Sequence, residues 1–298
     1  MGRVLATADI GSNTAHLLVA DVTGDRMKRL ANLSEWLSLG EVVSRLGRIP
    51  KPLEDQLVTS LAGFKRAATQ LKAERLYVFA TEAMRQADNC EDIRRRVLSE
   101  LSIVVDIISP AREAELSLSG ILPEFGVASP LVLVEAGGGS VQVARWDGAA
   151  VASEVSLPLG TGTLIAKAAI SQPSDAEQRR EVERLISEGL ADISDLTAVP
   201  RIVACGGVAR GIWRAIHPEG DPTIHVQELS HLAWSAQRLS TDQVAARFRV
   251  KNRRATTLLP GSLVYLRILE KFSHHEMSVS EFGVREGAIR EMAAGRGL

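Results

Sequence analysis

One supersecondary pattern occurs twice in this chain, and it limits the folds open to it more than any other feature. Arg3–Ile10 reads as a strand of small and branched residues, Gly11-Ser12-Asn13 as a turn and residues 14–22 as a second strand. Gly24-Asp25 is another turn, and residues 26–31 pair back. Residues 131–157 repeat the scheme. A buried strand at 131–134 meets the loop Gly137-Gly138-Gly139-Ser140, then come a strand over Val141–Trp146, an Asp147-Gly148 hairpin turn and a returning strand at 150–157. The halves share this pattern with little identity of residues. Residues 126–130 read as the linker between them. A chain of 298 residues is long enough for two domains, at roughly 100–200 residues each.

Between and after these units the spacing alternates. A helix is expected over 52–71, with Leu53, Leu57, Leu61, Phe64 and Ala68 on one face. Arg75–Ala80 reads as a short buried strand, Cys90–Leu101 as a helix, 103–108 as a strand and 111–120 as a helix after Ser109-Pro110. The second half continues with a helix at 175–191, a strand at 201–204, Gly206-Gly207 and a helix at 208–217. A helix-rich end holds one more strand near 276–280. Strands alternating with helices place the chain in the α/β class.

Composition excludes several functions. With 45% hydrophobic and 24% charged residues the chain reads as soluble and globular, not disordered. No apolar run approaches the ~20 residues a bilayer requires. The start passes directly into a strand without a signal-peptide h-region, which makes the cytoplasm the expected compartment. A net charge of −1 gives no global field for nucleic acid. The basic runs Arg94-Arg95-Arg96 and Lys251-Asn252-Arg253-Arg254 read as solvated helix faces. The two cysteines, Cys90 and Cys205, are too few for a zinc site and suggest no disulfide framework. His274-His275 lacks metal-ligand spacing. The four tryptophans, Trp36, Trp146, Trp213 and Trp234, read as core or interface.

The glycine loops carry the chemistry. Without Cβ atoms, successive N–H groups can point at phosphate oxygens, and Ser12, Asn13 and Ser140 add side-chain donors. Asp9 and Glu135 end the strands leading into the loops. Carboxylates there repel phosphate unless a cation lies between, the usual setting for Mg²⁺. One such loop alone would read as an ordinary hairpin; two, each after an acid, point to phosphate binding.

The ordered set Asp9-Ile10-Gly11-Ser12-Asn13-Thr14, Ala80-Thr81-Glu82-Ala83-Met84-Arg85-Gln86-Ala87, Ile108-Ser109 with Glu113-Ala114, and Gly137-Gly138-Gly139-Ser140 continues through the second half. There it is joined by Ser156-Leu157-Pro158-Leu159-Gly160, Cys205-Gly206-Gly207-Val208-Ala209-Arg210, Leu259-Pro260-Gly261 and Phe282-Gly283-Val284-Arg285-Glu286-Gly287. Together these motifs resemble the exopolyphosphatase / guanosine pentaphosphate phosphohydrolase family of the actin-like ATPase superfamily, in its short two-domain form. The resemblance implies two actin-like (ribonuclease H-like) α/β domains with a cleft between them. Residues 1–125 would hold the first phosphate loop and 126–298 the second, with the last helix a candidate to pack back on the N-terminal domain. It also implies hydrolysis of a terminal phosphoanhydride of polyphosphate or guanosine pentaphosphate, Mg²⁺ as cofactor and a homodimer, while the charge and the short apolar runs make neither nucleic acid nor membrane an expected partner.

By the same resemblance, Glu113 matches the family's catalytic glutamate and Gln142 stands at its second catalytic acid. Gly11, Ser12, Asn13, Arg85, Gly137, Gly138, Gly139, Ser140, Gly206 and Gly207 would bind phosphate, and Asp9 and Glu135 the metal. The chain departs from the pattern at Glu135, where aspartate is usual, and at Gln142, where a glutamate is usual. It departs also at Pro110, Arg112, Ser38 of the Leu37-Ser38-Leu39-Gly40-Glu41 stretch, and Thr256. An amide at Gln142 cannot act as base or anionic ligand, and Arg112 beside Glu113 could weaken it as a base. Two readings therefore stand: a hydrolase, or a catalytically weakened protein that binds polyphosphate or an alarmone. A third, more remote, is an actin-like ATPase or sugar kinase.

Overall fold

Period-two and helical patterning assemble here into two sheets, each with its own helices. The computed structural model describes residues 2–191, 193 and 200–296. In chain order the elements begin β1 (Arg3–Ile10), β2 (Thr14–Thr23), β3 (Arg26–Trp36), α1 (Leu39–Leu46), α2 (Lys51–Gln70), β4 (Arg75–Ala80), α3 (Glu82–Gln86), α4 (Cys90–Leu101), β5 (Val105–Ile107) and α5 (Pro110–Phe125). They continue with β6 (Leu131–Ala136), β7 (Val141–Trp146), β8 (Val151–Leu157), α6 (Thr161–Ala168), α7 (Ala176–Ala191), β9 (Ile202–Cys205) and α8 (Gly206–Ile216). The last are β10 (Thr223–His225), α9 (Val226–Ala236), α10 (Thr241–Arg247), α11 (Asn252–Lys271), β11 (Glu276–Val279) and α12 (Val284–Ala293). No helix among the described residues is long and apolar enough to cross a membrane.

The chain divides into two compact units, residues 1–123 with 282–298, and residues 124–281. In the first unit the strand order is β3-β2-β1-β4-β5, with β1–β3 antiparallel and β1, β4 and β5 parallel. Alternation along β1 decides what each face meets. Ala6, Ala8 and Ile10 point into a core shared with Leu57, Leu61 and Phe64 of α2 and Ile93 and Val97 of α4. Leu5 points the other way, toward Leu116 of α5 and Ala288, Ile289 and Met292 of α12. Asp9 has the same parity as Leu5, so the strand delivers its carboxylate to the α12 face.

In the second unit the order is β10-β11-β9-β6-β7-β8. The strand–loop–strand–turn–strand unit of β1–β3 recurs as β6–β8. Val132, Val134 and Ala136 of β6 and Val141 and Val143 of β7 enter one core with α6, α7, α8, α9 and α11. Glu135 and Gln142 have the opposite parity and face each other directly in the β6–β7 register.

Several sequence boundaries shift. β3 runs to Trp36, not 31, because every residue from Thr14 onward in β2 finds a partner on it. Gly206 and Gly207 open α8 instead of forming a free loop.

Candidate functional site

Both glycine loops are built alike. In the first, the Gly11 N–H donates to the Thr14 carbonyl at 3.1 Å. In the second, the Gly137 N–H donates to the Ser140 carbonyl at 2.9 Å. Each turn is then gripped from behind by its carbonyls. Leu37 and Ser38 N–H groups donate to Asn13 O at 2.9 and 3.0 Å, and Gly40 N–H to Ser12 O at 2.7 Å, at the start of α1. Thr161 N–H donates to Gly137 O at 2.9 Å, and Gly162 and Thr163 N–H groups to Gly138 O at 2.8 and 3.1 Å, at the start of α6. The Thr163 hydroxyl adds a bond to Gly139 O at 2.8 Å. The first N–H groups of a helix have no partner within it; here loop carbonyls supply one. With the carbonyls drawn inward, N–H groups are what each loop has left to offer. Among the described residues nothing accepts from the N–H of Ser12, Gly138 or Gly139. That is the electrostatics of an anion cradle.

The grip leaves no room for side chains behind the loops. A Cβ on Gly40 would lie 2.6 Å from the Ser12 Cβ. One on Gly160 would lie 2.3, 2.4 and 2.5 Å from backbone atoms of Gly139, Ser140 and Gly138. Gly160→Ala must therefore push the second loop off α6, at a cost of about 1–3 kcal/mol. We expect a lowered melting temperature in thermal unfolding. An unchanged one would show that the loop moves off α6 without strain.

Asp9 is held from α12. Its Oδ1 lies 3.3 Å from Arg285 Nε, and both side chains are largely buried. Arg285 also donates to Asn32 Oδ1 at 3.0 Å, and its neighbour Glu286 pairs with Arg29 at 3.0 Å. Glu113, in the first turn of α5, accepts from both terminal nitrogens of Arg85 at 3.2 Å. Arg85 also donates to Glu82 at 2.7 and 3.1 Å and to Ile108 O at 2.7 Å. Its planar fork thus ties α3 to the start of α5 and fixes the carboxylate of Glu113. Arg112 turns away from Glu113 and pairs with Glu115 and Glu291.

In the second unit, Gln142 is 2% exposed and donates from Nε2 to Ser140 Oγ at 3.3 Å. Its Oε1 is buried without a hydrogen-bond partner. Glu135 opposite it approaches Gly206, whose φ of +84° favours glycine; a Cβ built there would lie 3.0 Å from Glu135 Oε1. Tyr265 OH accepts from the Ala136 N–H at 3.4 Å and closes the end of β6. Burial holds that hydroxyl far above its usual pKa, so it stays neutral. Arg254 does not lie on a solvated face as its basic run suggests. It donates to Gly207 O at 3.0 Å, at the start of α8. Burial, and then the charges of Arg210 and Arg214, pull its guanidinium below its usual pKa.

No group of three or more His, Cys, Asp or Glu side chains suited to a metal occurs among the described residues. Single carboxylates such as Asp9 and Glu135 do not make an all-protein cage. They fit Mg²⁺, which keeps several waters and is usually held by one or two carboxylates plus substrate phosphates.

The sequence model of the Ppx/GppA phosphatase family matches residues 18–295. The chain belongs to the Ppx/GppA phosphatase family. Among its relatives, "Exopolyphosphatase 1" of Mycobacterium leprae is 26% identical over 301 residues, covering 96% of this chain and 88% of that protein. The crystal structure of the Aquifex aeolicus Ppx/GppA family member superposes with a TM-score of 0.84 at 24% identity, covering 100% of both chains. An exopolyphosphatase from Cytophaga hutchinsonii superposes with a TM-score of 0.90 at 21% identity, covering 99% of each. The fold is the two-domain actin-like ATPase type of these Ppx/GppA structures. In this Ppx/GppA chain, sequence reading placed the loops and acids. It missed the α1 and α6 clamps, whose only trace is Gly40 and Gly160, and the Arg285 partner of Asp9.

Proposed function

We propose that this Ppx/GppA protein releases orthophosphate from the end of polyphosphate, or from guanosine pentaphosphate, by attack of water on the terminal phosphoanhydride. The observation that carries this reading is the matched pair of clamped loops, each offering N–H groups to an anion. Gly11, Ser12 and Asn13 in one unit, and Gly137, Gly138, Gly139 and Ser140 in the other, would bind phosphate oxygens, with Gly206 and Gly207 at the start of α8. Glu113 would take the proton as the water oxygen bonds to phosphorus. The bridging P–O bond then breaks, its electrons leave with the shortened chain, and orthophosphate departs. Fixed geometry and preformed donors supply most of the rate in such transfers. Arg85 uses all its donors on Glu82, Glu113 and Ile108 O, so it reaches phosphate only by exchanging one of them. Asp9 and Glu135 are the proposed carboxylate ligands of Mg²⁺, which would neutralise phosphate charge when bound.

The buried, neutral Gln142 opposite Glu135 favours a second reading, tight binding with slow turnover. Orthophosphate release from short- and long-chain polyphosphate and from guanosine pentaphosphate, with Mg²⁺ and after chelation, tests both. Turnover near 1 s⁻¹ or above, about what enzymes of modest rate show, excludes the second reading. No release from any substrate sinks the first.

A further inference from the structure

Gln142 does more than lack a charge: its amide decides which way the hydroxyl of the second loop points. Gln142 Nε2 donates to Ser140 Oγ at 3.3 Å, and both side chains are buried. A serine hydroxyl has one proton and two acceptor lone pairs. Where the amide N–H occupies a lone pair, the proton must go elsewhere. Among the described residues the Ser140 hydroxyl donates to none. It sits in the loop whose carbonyls are tied to α6 and whose Gly138 and Gly139 N–H groups have no described acceptor.

A glutamate at this position would reverse the polarity. A carboxylate only accepts, so it would take the Ser140 proton for itself and withdraw a donor from the loop. It would also stand directly opposite Glu135 in the antiparallel register, where like charges repel. The amide avoids both effects, although its own Oε1 is left buried without a partner. Such an orphan costs about 1–3 kcal/mol.

We infer that Gln142 is a positioning residue that turns Ser140 into a dedicated hydrogen-bond donor for a phosphate oxygen, so that the second loop favours tight holding of a phosphate chain. This rests on the reading of the loop as a phosphate cradle and names how this chain tunes it.

Calorimetric titration of the full chain with tripolyphosphate separates the two claims. If the unchanged protein does not bind tripolyphosphate, the phosphate-cradle reading itself fails. Given binding, Gln142→Glu should weaken affinity at least tenfold. In a Ser140→Ala background, where no proton remains to capture, the same change should weaken it no more than about threefold further. Equal losses in both backgrounds would assign the effect to charge alone and overturn the inference, as would unchanged affinity of Gln142→Glu. Should Gln142→Glu not fold, Ser140→Ala carries the test. A tenfold loss is then expected, and affinity unchanged by removal of the hydroxyl overturns the inference.

Discussion

Gly287→Ala is expected to unfold the first unit at temperatures where the unchanged protein is stable. A Cβ at this position would lie 1.7 Å from Leu116 O, 2.7 Å from Leu116 C and 3.1 Å from Gly120 N. The nearest is close to a covalent distance, and every neighbour is backbone, so no side chain can swing aside. The opposite wall is equally tight, since a Cβ on Gly120 would lie 2.2 Å from Gly283 O. α5 and α12 therefore meet main chain to main chain, and one methyl group must force them apart. α12 also brings Ala288, Ile289 and Met292 into the core and Arg285 to Asp9. Overpacking usually costs about 1–3 kcal/mol; this contact should exceed that range. Gly63→Ala is the control, with only Arg66 Nη2 near, at 3.8 Å. It sits inside α2, where alanine is favoured over glycine by roughly 0.5–1 kcal/mol. Thermal unfolding should move in opposite directions for the two variants. A Gly287→Ala protein as stable as the parent would show that the helices separate freely.

The same glycines show how far the sequence was legible. β4, α4 and β7 could be read to the residue, because a period of two or of 3.6 in burial leaves its mark on local composition. The loops and their leading acids could be read as well, because glycine beside a strand end has few other uses. The clamps could not. They are backbone-to-backbone bonds between segments about 24 residues apart, Asn13 to Leu37 and Gly137 to Thr161, and such bonds select no side chain except a glycine at the point of contact. Arg254 escaped for the opposite reason: a charged residue in a charged run reads as solvated, and only tertiary packing shows that it points inward. The pairing of Arg285 with Asp9 joins the two ends of the sequence and leaves no local mark.

Equivalence of the two loops also bears on what changed in the second. The first keeps Asp9 beside a cation, Arg285. In the second, Glu135 faces Gln142 across the β6–β7 register. Backbone N–H groups are left open in both loops, while the side chains beside them differ.

Glu113→Gln should lower kcat by about 10²–10⁴, the range a positioned general base contributes, with KM changed by no more than about threefold. The geometry separates chemistry from stability in this variant. A glutamine carbonyl oxygen can still accept from Arg85, and Glu82 still neutralises the guanidinium at 2.7 Å. The tie between α3 and α5 should survive, with a melting temperature near that of the parent. Arg112→Gln serves as the contrast, because Arg112 engages Glu115 and Glu291 and not Glu113. It should leave kcat within about threefold while lowering stability, by no more than about 1 kcal/mol for the exposed Glu115 pair and by more for the pair with buried Glu291. Steady-state orthophosphate release from tripolyphosphate, with both variants confirmed folded, decides the matter. If Glu113→Gln retains the parent's kcat, proton removal belongs to another group, and the pairing of Glu113 with Arg85 is a structural strut alone. If kcat falls as expected while Arg112→Gln is unaffected, the proton acceptor is Glu113, and the arginine next to it in sequence has no part in the reaction.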